Sequence, residues 1–311
     1  MTRTRTRNQP GQPAGGLGYA LAAYGLWGLL PLFFLLLHPT GPFEVVAWRV
    51  LFSLVFCLAL LTATRGWTAL LLVLRRPKTV WVMGLAGLLI FVNWQTYVFA
   101  TLTGHVVEAA LGYFINPIVT VLLGVFVLHE RLRRIQWIAV AISVAAVVVL
   151  TVGYGALPWI SLVLALSFGF YGLIKKNVGP GVDALTGLTL ETVWLMPIAI
   201  TELLIVGAVT GLTFGTVSPW HTVGLVSTGV VTAVPLLFFA AAARRLPLSV
   251  LGLVQFVAPV LQFLVGVFVL GEPMPPERWV GFGLVWVALV ILTTDMVLTG
   301  RAPRRASPER T

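Results

Sequence analysis

The stretch GVFVLHE at residues 124–130 returns as GVFVLGE at residues 266–272, which is 142 positions later and has a single mismatch. Apolar helices resemble one another by composition, but a seven-residue block flanked by other matches at the same offset is rare by chance. No gap is needed to align the two copies, and the pattern therefore indicates an internal duplication. The flanking residues in register are Phe114 with Phe256, Pro117 with Pro259 and Trp137 with Trp279.

The composition around these two copies is that of a membrane protein. Hydrophobic residues make up 59% of the 311-residue chain and charged residues 10%, with a mean hydropathy of +0.99. A soluble domain carries about 25% charged residues. Lipid must therefore surround most of the chain, and apolar runs of helical length predict the spans. Ten such runs are present: 17–37, 44–64, 80–101, 107–128, 135–152, 157–174, 184–206, 220–243, 248–270 and 279–298.

The basic residues predict the orientation of these spans. An even number of spans places both termini on one side, and 18 of the 20 Lys and Arg fall on that side. Arg278 lies on the other side and Arg49 within a span. By the positive-inside rule, we expect a multi-pass protein of the plasma membrane (the bacterial inner membrane) with both termini cytoplasmic. The net charge of +10 then faces anionic inner-leaflet lipids, and nucleic acid is not expected as a partner.

The duplication predicts an inverted arrangement of the two halves. The offset carries the third to fifth spans onto the eighth to tenth, and a shift by five spans reverses the orientation. The predicted fold class is an all-α integral membrane protein, with ten transmembrane helices arranged as two inverted five-helix repeats. Its units are a cytoplasmic tail at 1–16, repeats at 17–152 and 153–298, and a cytoplasmic tail at 299–311. Inverted repeats are common among secondary transporters, whose substrates bind where the repeats meet.

Two prolines occupy matching points of the duplicated spans. Pro117 and Pro259 each lack a backbone N–H and crowd the carbonyl four residues earlier, which belongs to Tyr113 and Gln255 respectively. A free carbonyl costs several kcal/mol in lipid unless a neighbour or a water-filled cavity satisfies it. The amides of Asn116 and Gln255 stand beside these points. Two interpretations stay open: kinks that only shape packing, and kinks that line a transport pathway.

A single basic residue inside a span is the strongest candidate for binding. Arg49 lies in EVVAWRVLFS (44–53), roughly 10 Å from the nearer end of its span at 1.5 Å per residue. A buried guanidinium requires an anion, which Glu108, Glu191 or a substrate could supply. Depth along the helix axis favours Glu108. A purely structural ion pair remains the alternative, and Glu108 could equally be an exposed carboxylate at the outer surface.

Other polar and aromatic side chains within the spans are candidates for lining a pathway, although each could instead belong to the core or to the lipid-facing belt. The candidate substrate and pathway residues are Trp27, Arg49, Asn93, Glu108, Tyr113, Asn116, Pro117, Tyr171, Glu191, Gln255 and Pro259.

No cofactor or metal is predicted. His105 and Glu108 lie on one helix face, but two ligands do not make a metal site. The chain contains one cysteine, Cys57, which excludes an internal disulfide and a multi-cysteine cluster. It also shows no nucleotide-binding loop and no nucleophile–base motif. We therefore do not expect an enzyme.

Several motifs carry a resemblance to a known family. They are AAYGLWG (22–28), EVVAWRVLFS (44–53), EAALGYFINP (108–117), FYGLIKK (170–176), ETVWLMP (191–197), TAVPLL (232–237) and QFVAP (255–259). In these stretches, spread in order over residues 17–298, the chain resembles the RarD family of the EamA group of the drug/metabolite transporter superfamily. The resemblance implies ten helices, two EamA repeats and a plasma-membrane transporter. It implies no substrate and no roles for individual residues.

The expected function is secondary transport of a small organic solute, by export or exchange, through alternating access of the two repeats. A solute channel or facilitator is the alternative, and a membrane-embedded enzyme is a weaker one. The substrate, the direction of transport, the coupling to protons or exchange, and the oligomeric state stay open, with a homodimer as one option.

Overall fold

The computed structural model describes residues 13–300 except 130, 131, 155, 179, 180, 244 and 247. Most of the two predicted cytoplasmic tails, at 1–16 and 299–311, lies outside the described residues. The described part of the chain is helical and contains no strand. The helices are α1 Pro13–Leu35, α2 Pro42–Ala63, α3 Trp67–Leu74, α4 Pro77–Leu102, α5 Val106–Leu128, α6 Arg134–Tyr154, α7 Trp159–Val178, α8 Ala184–Val209, α9 Pro219–Ala243, α10 Leu248–Val254, α11 Val257–Leu264 and α12 Pro276–Gly300.

Nine helices in the described residues are long and apolar enough to cross a membrane. They are α1, α2, α4 to α9 and α12, and they coincide with nine of the ten predicted spans. Several helices extend a few residues beyond their predicted bounds, and α7 continues through Lys175 to Val178 beyond the predicted end at 174. The short helix α3 lies between the predicted spans 44–64 and 80–101.

The remaining predicted span, 248–270, is broken in the structure. It consists of α10, a two-residue interruption at Gln255 and Phe256, α11, and a π-helical turn at Val265–Val269. Pro259 explains the position of the break, because it has no N–H with which to hydrogen-bond the carbonyl of Gln255. In π-helical turns the hydrogen bonds span one residue more than in an α-helix, and such turns are frequent at functional sites.

The matching point in the first half behaves differently. Helix α5 runs through Pro117 without interruption. The two prolines therefore differ in effect, since only Pro259 lies beside an interruption of its helix. The loss of one backbone hydrogen bond leaves the helical ladder intact on both sides. Ile115 and Ile118, which flank this point, are buried in a core of packed side chains, and this packing holds the helix together.

Helix packing leaves space at the centre of the bundle. Helices α1, α2, α4, α5, α7, α8, α9 and the α10–α11 segment pack around this space, while α6 and α12 pack mainly against each other at one side. Close crossings of these helices depend on glycine. A Cβ on Gly87 of α4 would lie 3.1 Å from the carbonyl oxygen of Glu191 on α8. A Cβ on Gly112 of α5 would lie 2.8 Å from the carbonyl oxygen of Ser161 on α7.

The end of the bundle at which α1 ends, here called the distal end, is held by polar contacts between loops. Thr40 Oγ1 lies 2.7 Å from Thr213 Oγ1 and 2.8 Å from His221 Nε2. The carboxylate of Glu44 accepts hydrogen bonds from the backbone N–H groups of Thr213 and Phe214 at 2.8 and 3.2 Å. These contacts join the start of α2 to the loop between α8 and α9.

A second group of contacts closes the distal end on the other side of the bundle. The Glu272 carboxylate accepts hydrogen bonds from the first backbone N–H groups of α5, those of Val106 and Val107, at 2.6 and 2.9 Å. Those donors have no partner within the helix, and the positive end of the helix dipole favours the negative charge. Burial raises the pKa of Glu272, an effect that the two N–H donors oppose.

Candidate functional site

A cavity of about 340 Å³ occupies the centre of the bundle. It reaches the end opposite the distal end, since Lys175 in the last turn of α7 and Ala184 at the start of α8 belong to its wall. Its lining combines aromatic rings with a few polar groups, as expected of a small-molecule site. The aromatic residues in the wall are Tyr24, Trp27, Trp94, Tyr97, Tyr113, Phe168, Tyr171, Phe239 and Phe256.

Arg49 of α2 supplies a buried positive charge to the cavity wall. The residue is 4% exposed, and its Nε donates to Thr232 Oγ1 of α9 at 2.8 Å. Its guanidinium carbon lies 4.3 Å from the centre of the Trp94 ring and 5.6 Å from that of Phe34, which are cation–π contacts. Its Nη1 is buried and has no hydrogen-bond partner.

The structure does not pair Arg49 with a carboxylate. Among the residues that the structure describes, neither Glu108 nor Glu191 forms an ion pair with it. The expectation that Glu108 is the partner is therefore wrong. The Glu108 side chain turns instead towards the start of α7, where it accepts a hydrogen bond from Ile160 N–H at 3.1 Å. It lines a second, smaller cavity of about 190 Å³, together with His105 and Arg278.

Glu191 has a different basic partner. This carboxylate is 1% exposed, and its Oε1 accepts a hydrogen bond from Lys175 Nζ at 2.8 Å. Tyr171 OH donates to Oε2 at 3.3 Å, and the ammonium lies 5.6 Å from the centre of the Tyr171 ring. A carboxylate, an ammonium and a phenol thus form one polar cluster in the cavity wall.

A second polar cluster links α4, α5 and α7. Asn93 donates to the carbonyl of Leu164 at 3.1 Å and to Ser167 Oγ at 3.2 Å, and it accepts a hydrogen bond from Tyr113 OH at 3.0 Å. Asn93 is 2% exposed, so these bonds satisfy an amide that would otherwise be costly to bury. Tyr113 therefore both connects these helices through its hydrogen bond and lines the cavity.

Other polar atoms of the cavity wall have no partner. They are buried and comprise Tyr97 OH, Asn116 Oδ1 and Gln262 Oε1, besides Arg49 Nη1. Buried polar atoms are nearly always hydrogen-bonded in folded proteins. Four of the nine such side-chain atoms among the described residues belong to residues of this wall, which makes the wall a candidate site for a polar ligand.

The structure thus brings ten of the eleven sequence candidates to one cavity, and Glu108 is the exception. Trp27 of α1 stacks edge-on against Tyr24, and both prolines lie in the wall. Some residues of the cavity wall were not among the candidates predicted from the sequence. Lys175 lies just beyond the predicted span 157–174, Tyr97 carries no distinctive pattern, and Thr232 lies in the motif TAVPLL, which implied no role for it. Gln262 could have been found, because it lies seven residues after Gln255, about two helical turns, on the same predicted span.

Within the described part of the chain, no group of three or more His, Cys, Asp or Glu side chains is placed to hold a metal ion. Cys57 is fully buried and lies outside the cavity wall.

An apolar bundle of long helices around a central cavity defines the chain as a multi-pass membrane protein. Its relatives define the family. A family model described as "EamA-like transporter family" matches residues 14–152. The chain belongs to the RarD family, in the EamA group of the drug/metabolite transporter superfamily, and is a membrane transporter.

Individual relatives cover nearly the whole chain. It is 51% identical to "Protein RarD" of Streptomyces exfoliatus over 93% of this chain and 91% of the relative. It is 39% identical to "Protein RarD" of Escherichia coli K12, covering 93% and 97%. An "Uncharacterized transporter YojE" of Bacillus subtilis is also 39% identical, covering 93% and 97%. A solved crystal structure with 21% identity has the same fold, with a TM-score of 0.58 over 92% of this chain and 99% of the other.

Proposed function

We propose that this chain is a secondary transporter that carries a small organic solute through the central cavity by alternating access. The observation that carries the proposal is the buried guanidinium of Arg49, a residue of the cavity wall whose Nη1 has no partner. A charge of this kind is costly in a membrane unless a ligand meets it. Export or exchange of the solute is part of the same proposal.

The movement between two states requires two halves that can exchange roles. Helix packing supports this. When α1, α2, α4, α5 and α6 are exchanged in order with α7, α8, α9, α10–α11 and α12, the main helix–helix contacts of one half correspond to those of the other. Helix α1 packs on α9 as α7 packs on α4, and α5 packs on α7 as α11 packs on α1. The contact of α2 with α8 and the contact of α6 with α12 are each unchanged by this exchange, because their two helices swap places. This is the arrangement proposed here as an inverted repeat.

The orientation follows from the basic residues. We place the protein in the plasma membrane with both termini cytoplasmic and the distal end outside. The cavity then reaches the cytoplasmic end through Lys175, while the contacts of Thr40 and Glu44 with Thr213 hold the outer end together. The structure is thus assigned to a state closed to the outside, and the opposite state must break the distal contacts.

A disulfide across the distal end tests the proposal. Thr40 Oγ1 and Thr213 Oγ1 lie 2.7 Å apart, so cysteines at both positions can approach bonding distance after small shifts. In a Cys57→Ala background, oxidation of Thr40→Cys/Thr213→Cys is expected to stop transport, and dithiothreitol to restore it. Transport is measured as the efflux of solutes that accumulate in cells lacking the protein.

The control for this experiment is Thr40→Ser/Thr213→Ser, which keeps two hydroxyls and should be insensitive to the oxidant. Full activity of a protein shown by mass spectrometry to carry the disulfide would contradict alternating access at this end.

A further inference from the structure

The charges in the wall of the central cavity do not cancel. Lys175 and Glu191 form an ion pair, so their charges compensate each other. Arg49 is the remaining charged side chain among the described residues of the wall, and no carboxylate pairs with it. The cavity therefore carries one excess positive charge. A ligand with a single negative charge neutralises it, whereas a cation adds a second uncompensated charge to a buried site.

Two hydrogen-bond donors mark the place of that negative charge. Arg49 and Tyr97 belong to the cavity wall, and Arg49 Nη1 and Tyr97 OH are both buried and lack partners. The two side chains share a neighbour, because Phe34 contacts the Arg49 guanidinium at 5.6 Å and the Tyr97 ring at 6.2 Å between ring centres. A guanidinium edge and a phenol together match the two oxygens of a carboxylate, the planar anion that Arg binds most specifically.

The remaining wall determines the body of the ligand. Aromatic rings dominate it, and they favour a flat apolar group that can stack or meet them edge-on. The unpartnered acceptors Asn116 Oδ1 and Gln262 Oε1 can accept a hydrogen bond from an N–H or O–H on that group.

We propose that the substrate is an organic monocarboxylate with a flat, largely aromatic body, bound with its carboxylate at Arg49 and Tyr97. This inference rests on the proposed function and specifies its substrate class. The Lys175–Glu191 pair is already neutral and does not bind the anionic end.

Three small molecules of one shape but different charge test the substrate class. Indole-3-acetate, indole-3-acetamide and tryptamine share the indole ring and a two-carbon chain, with charges of −1, 0 and +1 respectively. Dissociation constants are obtained from the ligand dependence of the melting temperature of the purified full-length protein. We expect indole-3-acetate to bind about 10- to 100-fold more tightly than the amide, as a hydrogen bond to a charged group allows. No shift is expected with tryptamine.

A pair of matched variants tests the site. Tyr97→Phe removes an unpartnered hydroxyl, and it is expected to weaken indole-3-acetate about 10-fold with little effect on the amide. Tyr113→Phe removes a hydroxyl that already bonds Asn93, and it should lower the melting temperature of the free protein while leaving the ratio of the two affinities unchanged. Both substitutions remove one oxygen from a tyrosine of the same wall.

Equal binding of the three compounds, a preference for tryptamine, or no binding of any to the folded protein would overturn the proposed substrate class. So would equal changes in the affinity ratio for the two tyrosine variants. The proposed function fails by a different result, namely transport that continues through the distal disulfide. The two proposals can therefore be refuted separately.

Discussion

Replacing Arg49 by alanine is expected to reduce transport strongly while leaving a folded protein in the membrane. The change removes the uncompensated charge of the cavity and the group proposed to bind the solute. The loss of a charge-assisted hydrogen bond is expected to reduce transport at subsaturating solute about 10- to 100-fold. Stability should change little, because the lost Thr232 hydrogen bond and cation–π contacts are offset by the removal of a buried charge that has no ionic partner.

Arg49→Lys should recover little of the transport. Lysine keeps the charge but lacks the planar fork, so it can meet neither Thr232 nor a carboxylate in the arginine geometry. Transport is measured as solute efflux, and folding by the melting temperature and the yield of membrane-inserted protein. Arg278→Ala is the matched control, since Arg278 lines the second cavity and should be dispensable for transport. Near-normal efflux by Arg49→Ala would remove the proposed binding role.

The second large effect is expected at the ion pair of the cavity wall. Lys175→Met leaves the Glu191 carboxylate, which is 1% exposed, without its ionic partner. Breaking a buried pair in this way costs about 3–5 kcal/mol. Glu191→Gln should be milder, because the Lys175 side chain is 30% exposed and its ammonium can turn towards water.

The double variant Lys175→Met/Glu191→Gln should recover most of the lost stability, since it leaves no unpaired charge. Unfolding of the four proteins in detergent gives the coupling between the two positions. Lys176→Met, one residue along α7 at an exposed position, is the control and should have little effect. Additive effects of the two substitutions would show that the pair does not stabilise the protein.

The sequence predicts much of this fold because lipid imposes a simple rule on it. Nine of the ten predicted spans are continuous helices, since a chain in lipid must satisfy its backbone hydrogen bonds internally. The exception, 248–270, contains Pro259. The sequence marks Pro117 equally, yet α5 stays continuous. Whether the helix continues depends on the side chains that pack around each proline. These come from other helices, so the sequence of one segment does not reveal them.

The candidate site was predicted for a related reason. Polar residues are rare in apolar helices, and Arg49, Asn93 and Glu191 stand out for that reason alone. Partners are harder to predict, because they depend on the relative rotation and tilt of different helices. Depth along the axis favoured Glu108 for Arg49, but Glu108 bonds the start of α7. Lys175 was missed because a lysine at the end of an apolar run also fits a loop.

The most direct test of alternating access measures the reaction of a cavity cysteine from both faces of the membrane. Leu236→Cys places a thiol in the cavity wall on α9, in a Cys57→Ala background. Ala233→Cys, on the same helix but 2% exposed and outside the wall, is the matched control and should not react. A membrane-impermeant maleimide is applied to right-side-out and to inside-out vesicles.

The rates are compared with and without Glu44→Ala, which removes the acceptor of the Thr213 and Phe214 N–H groups and so weakens the distal closure. If one equilibrium governs both openings, the substitution should raise the rate at Leu236→Cys from outside and lower it from the cytoplasmic side. A rise from outside with an unchanged or faster cytoplasmic rate would mean that the two ends open independently, as in a channel, and would contradict alternating access.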